Sequence, residues 1–383
     1  MKHHILMVTG DAGLALGKQN IFYEMLKEFS THFEGVHVIC GSAKGGNKVP
    51  FRIHKNVMVY PSPRSRFLRK DFWTHANFVL ETALEIHQKT PLGLAISHVV
   101  PPFFPGTRGA MQVSKELGIP HLAEVMHIPG FPKADRFMDH IERSRMNQFL
   151  ARHHEEFSGI RIINETELKP YLRKLGVPEK KLRIIPAFYL DLKVFKPRPE
   201  IKKNMKQFVY AGRFETNKNI PALLTAFVGL SEKIPGLKLK MIGDGALAPW
   251  VEKERDRLGL QHEIELLGWL PTHTDVAKIY NESLALIMPS FSEGGPRVTL
   301  EAMASETLVL STPVGIMKEV MEPGENALKI DWRAENIEKA MRWSIEHPAE
   351  VSRIAKNGQK SIHKFEYHKA IAHYAETVLQ FVS

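Results

Sequence analysis

The sequence predicts an α/β protein with two Rossmann-like domains, each built on a doubly wound parallel sheet with its loops facing a central cleft. Short apolar runs typical of buried strands alternate with helical patterns through the first half of the chain. A second alternating set begins at Phe208. Between the two sets lies a polar segment with two prolines and several lysines, which is typical of a linker. We therefore expect domains at residues 1–190 and 206–365, joined by a linker at 191–205.

The predicted elements follow the chain in order. Strands of the first domain are expected at residues 5–8, 36–39, 57–60, 94–96, 122–126, 160–163 and 182–185. Helices are expected between them, at about residues 16–29, 72–87, 107–117 and 136–154. The second domain repeats the alternation, with strands in FVYAGR, LKLKMIGDG, IELLGWL, LALIMPS, LVLSTP and near Leu328.

Length and composition favour a globular protein of two domains rather than a secreted or membrane-spanning one. The chain has 383 residues, which exceeds what one hydrophobic core usually supports. Cys40 is its one cysteine, so an intrachain disulfide framework is excluded. We find no signal peptide and no apolar stretch of the roughly 18–20 residues that cross a bilayer. The expected location is the cytoplasm, with contact at the inner face of the membrane as the alternative.

The positive charge is concentrated in the first half. Residues 1–190 hold 26 Lys and Arg against 17 Asp and Glu, whereas residues 191–383 hold 26 against 25. The first domain is therefore expected to meet something anionic. No zinc finger or RNA-binding signature accompanies this charge, so nucleic acid is not the expected partner. The run HHEEF at 153–157 indicates a polar helix end, and we expect no metal site.

Residues 288–305, MPSFSEGGPRVTLEAMAS, predict a strand end, a glycine loop and a helix that begins near Pro296. Such a turn offers backbone N–H groups and a positive dipole end to a phosphate or diphosphate. Glu293 in the loop and Glu301 in the helix would repel phosphate, so we expect them to accept hydrogen bonds from sugar or ribose hydroxyls. A helix without any ligand is the alternative, because an acidic residue near a helix N-terminus is itself favourable.

Two cations follow the first strand of the second domain. Arg213 ends the strand and Lys218 lies in the loop before the next helix. Together they suit a diphosphate that needs no metal for neutralisation, although two solvated loop cations would look the same. Gly243, in MIGDG, lies where a backbone could approach a ligand closely.

Two features of the first domain are candidates for the same cleft. Gly13 lies in a compact loop after the first strand, which either contacts a sugar or phosphate or is a tight turn into a helix. His127 ends a strand, and ligands of open α/β sheets bind beyond the carboxyl ends of strands. A purely structural histidine is the alternative.

The segment from residue 63 to residue 73 mixes basic and large apolar side chains. That mixture suits the interface of an anionic bilayer or an acceptor, and a solvated helix start is the alternative. The candidate residues are Arg64, Arg66, Phe67, Arg69, Lys70 and Trp73.

The ordered motifs FVYAGRFETNKN, KMIGDG, IELLGWL and MPSFSEGGPRVTLEAMAS resemble those of retaining glycosyltransferases of family 4, within the glycosyl transferases group 1. The resemblance runs nearly end to end and is strongest over residues 208–313. It implies the GT-B fold of two Rossmann-like domains. It also implies that Arg213 and Lys218 hold a donor diphosphate, that Glu301 binds the nucleotide ribose, and that Glu293 binds the transferred sugar.

The resemblance assigns further residues to the donor. Gly268 and Trp269 would frame the nucleobase, Gly13 would lie near the donor, and His127 near the reacting sugar. The last helix, at about 366–383, would pack back on the first domain. Where the family often has Gly-Phe-Gly, this chain has Gly294, Gly295, Pro296 and Arg297. Arg297 would add a cation near the leaving group.

The expected activity is retaining transfer of a sugar from a nucleotide-diphosphate sugar, with UDP or GDP as nucleotide, to a glycan or lipid-linked acceptor in cell-envelope or polysaccharide synthesis. The nucleotide-sugar is a substrate, and no cofactor is expected. Two alternatives remain. One is a sugar-nucleotide epimerase or glycan phosphorylase on the same fold; the other is a non-catalytic module that binds anionic surfaces.

Overall fold

The computed structural model describes residues 3–63, 68–99, 104–187 and 189–382, without side chains for 68–73. The chain divides into two compact units. Unit 1 comprises Met1–Ile128, Ile141–Tyr189 and His368–Ser383, and unit 2 comprises Pro129–His140 and Leu190–Tyr367. Neither unit is continuous in sequence: unit 1 consists of three segments and unit 2 of two.

Unit 1 is built on an eight-stranded sheet. Its strands are β1 (His4–Val8), β2 (Gly35–Cys40), β3 (Phe51–His54), β4 (Val57–Pro61), β5 (Leu92–His98), β6 (His121–Val125), β7 (Gly159–Ile162) and β8 (Leu182–Ile184). The helices are α1 (Ile21–Phe29), α2 (Leu68–Lys89), α3 (Pro105–Leu117), α4 (Phe137–His153) and α5 (Leu168–Lys174). The first residues of α4 belong to unit 2.

Unit 2 is built on a six-stranded sheet. Its strands are β9 (Asn204–Ala211), β10 (Lys238–Ile242), β11 (Ile264–Gly268), β12 (Ser283–Met288), β13 (Leu308–Ser311) and β14 (Leu328–Lys329). The helices are α6 (Ile220–Ser231), α7 (Ala248–Arg257), α8 (His273–Glu282), α9 (Arg297–Ala304), α10 (Met317–Val320), α11 (Ala334–Glu346) and α12 (Pro348–Ser361). The chain then enters α13 (Tyr367–Leu379), most of which lies in unit 1.

Both sheets are doubly wound. The strand order is β3-β4-β2-β1-β5-β6-β7-β8 in unit 1 and β11-β10-β9-β12-β13-β14 in unit 2. In each sheet the order reverses beside the first strand, at β1/β5 and at β9/β12, which are the switch points where open α/β sheets bind ligands. All pairings within the two sheets are parallel except that of β3 with β4.

Central strands are buried on both faces, as expected where helices cover both sides of a parallel sheet. Every residue of β12 is buried, and so is every residue of β2. The unit 2 core packs Phe208 and Tyr210 of β9 against Leu223 and Phe227 of α6. Among the described residues, none of the helices combines the length and apolar character needed to cross a bilayer.

Two local predictions differ from the structure. The helix expected from about residue 16 begins at Ile21, because Asn20 is its N-cap and accepts a hydrogen bond from the Tyr23 N–H. Gly17 adopts a left-handed φ of 70° in the preceding turn. The antiparallel edge strand β3 was not predicted, since its four residues are only partly buried and show no apolar run.

Candidate functional site

The switch point of unit 2 brings together two loops that the sequence singled out. Arg213 and Lys218 follow β9, Glu293 follows β12, and these two strands are hydrogen-bonded neighbours. Lys218 ends a short 3-10 helix, Thr216–Lys218, and Asn219 then turns the chain into α6 with a left-handed φ of 54°. The order of the strands therefore places these loops side by side.

Lys218 and Glu293 form a largely buried ion pair. The Lys218 Nζ donates a hydrogen bond to Glu293 Oε1, and the two side chains are 10% and 12% exposed. Little solvent reaches either charge, so each depends on the other for compensation. The ammonium keeps donor capacity beyond this bond, because a lysine has three N–H groups.

Asn217 ties the two loops together. Its backbone carbonyl accepts from the Phe291 N–H at 2.8 Å, and its side-chain amide donates to the Ser292 carbonyl at 3.0 Å. The Trp332 indole donates to the Ser290 carbonyl at 2.9 Å. The three residues before Glu293 are therefore held by one backbone and two side-chain hydrogen bonds, which preorganises the carboxylate. The sequence pattern offered no signal for this role of Asn217.

Glu301 is buried in α9 and has two side-chain partners. Arg297 Nε donates to Glu301 Oε1 at 2.5 Å, and the Tyr280 hydroxyl lies 3.4 Å from Oε2. Burial, together with the Glu301 carboxylate, raises the pKa of Tyr280 well above its usual value. The structure thus directs Arg297 toward Glu301, one turn along the helix, with its Nη2 3.4 Å from His273 Nε2.

The loop before α9 packs closely against the turn at Gly315. Gly315 has a left-handed φ of 54°, and a Cβ there would lie 2.3 Å from the Gly294 carbonyl oxygen. Pro296 is the N-cap, and α9 begins at Arg297 rather than at the proline. The Thr299 N–H donates to the Pro296 carbonyl at 2.9 Å. The N–H groups of Arg297 and Val298 come before this bond, in the turn whose donors have no partner within the helix. With Gly294 and Gly295 before them, they can receive an anion.

Gly243 has a structural reason to be glycine. A Cβ at this position, where φ is 130°, would lie 2.0 Å from the Gly212 carbonyl oxygen. Loops after neighbouring strands meet here, and the Phe214 N–H bonds to the Asp244 carbonyl at 2.9 Å. Gly268 has a φ of 62° and precedes Trp269, which is 61% exposed. A large, exposed aromatic ring at a strand's carboxyl end is available for stacking.

Arg213 is exposed, and its side chain makes no hydrogen bond or ion pair with the residues that the structure describes. Its carbonyl accepts a hydrogen bond from the Tyr210 hydroxyl at 2.9 Å, which fixes the backbone. Its charge is therefore not neutralised by the protein in the way that those of Lys218 and Arg297 are.

The segment Pro129–His140, which belongs to unit 2, also reaches these loops. The Lys133 ammonium lies 4.8 Å from the ring centre of Phe291 and 4.7 Å from that of Trp332. The Asp135 N–H donates to Asp139 Oδ2 at 3.3 Å, and burial together with the neighbouring Asp139 raises the pKa of Asp135. No pattern in the sequence indicated the contacts of Lys133, because this residue lies 158 positions before Phe291 and 199 before Trp332.

The candidates of unit 1 follow strands of its own sheet. Gly13 donates its N–H to Asp11 Oδ1 at 2.7 Å, and a Cβ at Gly13 would lie 2.7 Å from Asn20 Nδ2. His127 follows β6 and is exposed. Strand β5 separates β1 from β6, so Gly13 and His127 do not follow adjacent strands.

The basic and apolar segment lies mostly outside the described residues. Arg64, Arg66 and Phe67 are not described, and Arg69, Lys70 and Trp73 are described only as backbone of α2. Over the described ranges, no group of three or more His, Cys, Asp and Glu side chains could hold a metal ion.

Residues 193–361 match the family model described as "Glycosyl transferases group 1". This part of the chain is a group 1 glycosyltransferase domain. It contains the ion pair of Lys218 with Glu293, Arg213, and Glu301 with its partners. The match confirms the predicted glycosyl transferases group 1 and the predicted class of enzyme, the glycosyltransferases. The finer assignment to family 4 stays a prediction.

The curated relatives match about two fifths of the chain. An uncharacterised glycosyltransferase of Methanocaldococcus jannaschii is 29% identical over 164 residues, which are 43% of this chain and 45% of that protein. Glycogen synthase of Mycobacterium tuberculosis is 24% identical over 157 residues, 41% of this chain and 38% of that one. The matches thus span less than half the length of these relatives.

Two solved structures resemble the chain over its whole length. Sucrose-phosphate synthase from Thermosynechococcus elongatus has a TM-score of 0.81 at 19% identity, covering 99% of both chains. Anabaena HepE, in complex with UDP and glucose, has a TM-score of 0.73 at 16% identity, covering 99% of this chain and 100% of that chain. At these identities the likeness shows the fold, and the predicted GT-B class is confirmed.

Proposed function

We propose that the chain is a retaining glycosyltransferase that uses a nucleotide-diphosphate sugar. The observation that carries this is the pairing of Lys218 with Glu293 at the β9/β12 switch point, beside the N-terminus of α9. A cation suited to phosphate and a carboxylate suited to sugar hydroxyls are thus in direct hydrogen-bonded contact. UDP is our first choice of nucleotide, because the similar HepE structure contains UDP and glucose.

The proposed chemistry is electrostatic. When the bond between the sugar's anomeric carbon and the diphosphate oxygen breaks, its electron pair stays on the β-phosphate. Arg213, Lys218 and the first N–H groups of α9 would stabilise that charge. The acceptor hydroxyl supplies the new bond to the anomeric carbon, and its proton leaves with the departing phosphate. Side-chain cations make a divalent metal unnecessary in this proposal.

Recognition of the donor is divided among the other candidates. Glu301 would accept hydrogen bonds from the ribose, in competition with Arg297, and Trp269 would stack on the base next to Gly268. Glu293 would bind the transferred sugar. Gly13 and His127 are proposed to approach the donor and the reacting sugar from unit 1. The acceptor is proposed to be a glycan or lipid-linked molecule handled in the cytoplasm or at the inner membrane face.

The test is thermal stabilisation by UDP, GDP, ADP and their common sugar conjugates, with a chelator present. A ligand at about 100 times its dissociation constant adds roughly 2.7 kcal/mol of stability, which gives a clear shift in Tm. We expect one nucleotide to stabilise the protein and Glu301→Gln to abolish the shift. Glu335→Gln, at the start of α11, is the matched control. An unchanged shift in Glu301→Gln contradicts the assignment.

Product analysis separates the alternatives on the same fold. An epimerase would interconvert the donor without an acceptor, and a phosphorylase would need inorganic phosphate. A binding module would bind anionic vesicles and turn over no donor, and vesicle binding would survive loss of Glu293 and Glu301. Transfer that needs an organic acceptor and fails in Lys218→Met supports the transferase.

A further inference from the structure

Unit 1 contains a cavity of about 330 Å³ at the carboxyl edge of its sheet. Much of its wall is apolar and comes from α1 and the residue after β6, namely Ile21, Phe22, Met25 and Met126. Asp11 and Asn20, from the loop after β1, line it as well. A volume of this size holds a substituent such as an aromatic ring or a short alkyl chain next to a sugar ring, at the small end of ligand pockets.

A row of three ionisable side chains lies beside this cavity, and two of them, His98 and Arg161, line it. His98, Glu124 and Arg161 are register partners on the adjacent strands β5, β6 and β7, so they project from the same face of the sheet. His98 Nε2 lies 2.7 Å from Glu124 Oε2, and Arg161 Nη1 donates to Glu124 Oε1 at 2.6 Å. The Tyr374 hydroxyl of α13 donates to the same oxygen at 2.6 Å.

Four of the five N–H groups of Arg161 are used within the protein, counting the Nη1 bond to Glu124. Nε bonds to the Ile185 carbonyl at 3.1 Å, and Nη2 bonds to the Pro186 carbonyl at 3.2 Å and the Tyr189 hydroxyl at 3.3 Å. Its guanidinium also lies 3.8 Å from the centre of the Tyr374 ring. Although burial alone would raise the pKa of Glu124, Arg161 and His98 hold that pKa well below its usual range. The charge of Arg161 is therefore already compensated by Glu124 and is not available in full to an anionic ligand.

Asp11 adds a negative charge to the cavity lining. Asp11 accepts hydrogen bonds from the Gly13 N–H at 2.7 Å and from Asn20 Nδ2 at 2.9 Å, and its remaining lone pairs can accept from a ligand hydroxyl. A phosphate here would face the Asp11 carboxylate, and the one arginine among the described lining residues, Arg161, is already paired with Glu124. A neutral hydroxyl group would complete the hydrogen bonding of Asp11 instead.

We propose that this cavity binds a neutral, hydroxyl-bearing acceptor through an apolar substituent. The substituent packs against Ile21, Phe22, Met25 and Met126, and a hydroxyl of the ligand donates to Asp11. The ligand's role as an acceptor rests on the proposed glycosyltransferase function. Its chemistry is inferred from the cavity alone. The excess positive charge of the first half of the chain predicted an anionic partner. In this proposal, that charge does not contribute to ligand binding in the cavity.

The test is calorimetric binding to the full chain. The probes are 4-nitrophenyl and hexyl glycosides of glucose, galactose and mannose, compared with the methyl glycosides and with the corresponding sugar 1-phosphates. We expect an aryl or hexyl glycoside to bind at least ten-fold more tightly than its methyl counterpart and its sugar phosphate. Met126→Trp, which fills the cavity, should weaken that binding at least ten-fold.

Two exposed positions keep the test independent of folding. Ile21 is 47% exposed at the cavity, and Ile21→Ser should weaken glycoside binding several-fold. Val49 is 68% exposed and is not among the described lining residues, so Val49→Ser should leave binding unchanged. Tighter binding of a sugar phosphate, equal binding in all variants, or no binding of any glycoside overturns the proposal.

The nucleotide assay runs on the same variants and separates the two proposals. Nucleotide stabilisation and donor turnover without glycoside binding would overturn the cavity proposal and leave the glycosyltransferase standing. Glycoside binding that is lost in Met126→Trp, without any response to nucleotides, would support the cavity and contradict the proposed donor chemistry.

Discussion

Lys218 is largely buried, and its charge is compensated by one carboxylate, that of Glu293. Breaking a buried ion pair by removing one partner is costly, because the remaining charge is left without compensation. In the proposed function, a bound diphosphate would share the ammonium with Glu293 rather than meet a free cation. Donor binding and the ion pair would then be coupled.

This coupling predicts non-additive variants. Lys218→Met and Glu293→Gln should each lower kcat/KM for donor turnover by at least 100-fold, and the double variant should lose little more than either single one. The reason is that each single change disables the pair as a unit. Steady-state kinetics on the three variants measure the coupling. Losses that multiply would mean that the two residues act independently.

Cys40 gives a second prediction for a single residue. Burial raises the pKa of its thiol to about 11, so very little reactive thiolate exists at pH 8. We expect no reaction of the native protein with Ellman's reagent and one thiol per chain after unfolding in guanidinium. Val49→Cys, at an exposed position, serves as the reactive control and should titrate at once. Rapid labelling of native wild-type protein would contradict the buried position.

At the level of elements, the row across β5, β6 and β7 predicts a stability effect. Glu124→Gln leaves the buried Arg161 without its carboxylate and should lower the free energy of unfolding by roughly 3–5 kcal/mol. Urea unfolding of the full chain measures this change.

The double variant Glu124→Met/Arg161→Met is its control. Replacing both partners of a buried pair by apolar side chains is often nearly neutral, so it should be more stable than Glu124→Gln. Equal loss in both would mean that packing around β6, rather than the charge pair, determines stability.

Elements and contacts differ in how far the sequence predicts them. Buried parallel strands such as β9 and β12 are predictable, because helices on both faces require continuous apolar runs. Strand β3 is not, since an edge strand needs no apolar face to pair with β4. The start of α1 depended on the capping bond of Asn20, which pattern alone does not reveal.

The site shows the same division. Arg297 and Glu301 are four residues apart in one helix, so their ion pair could have been anticipated from helical geometry. Lys218 and Glu293 are 75 residues apart, and their contact exists because β9 and β12 are neighbours in the sheet. Motif resemblance named both residues, but it assigned them to different parts of the donor rather than to each other.

At the level of the whole molecule, two buried histidines predict that acid destabilises the fold. Burial lowers the pKa of His121 to about 3, and burial with His4 nearby lowers that of His37 to about 4. In the unfolded chain both would have a pKa near 6.5. Below that pH the unfolded state binds more protons, so the free energy of unfolding falls as the pH drops toward 4.

Glu124 extends the loss to lower pH, because its pKa is depressed in the folded protein and its contribution disappears as the pH falls below the ordinary glutamate value. We expect the urea midpoint to decrease steadily from pH 7 to pH 4, by an amount equivalent to a few kcal/mol. His121→Gln should flatten the slope between pH 6.5 and 4. A midpoint independent of pH over this range would contradict the prediction.

The bond between Tyr374 and Glu124 joins residues 250 positions apart and closes unit 1 with a helix from the far end of the chain. On the ribosome, β1 to β8 leave the exit tunnel long before α13 has been synthesised. Throughout that interval the Glu124 carboxylate lacks its tyrosine partner, and Phe29 lacks the Tyr374 ring that stacks on it at 4.6 Å. The unit that is begun first is therefore finished last, and a ribosome that stalls within unit 2 leaves both units incomplete.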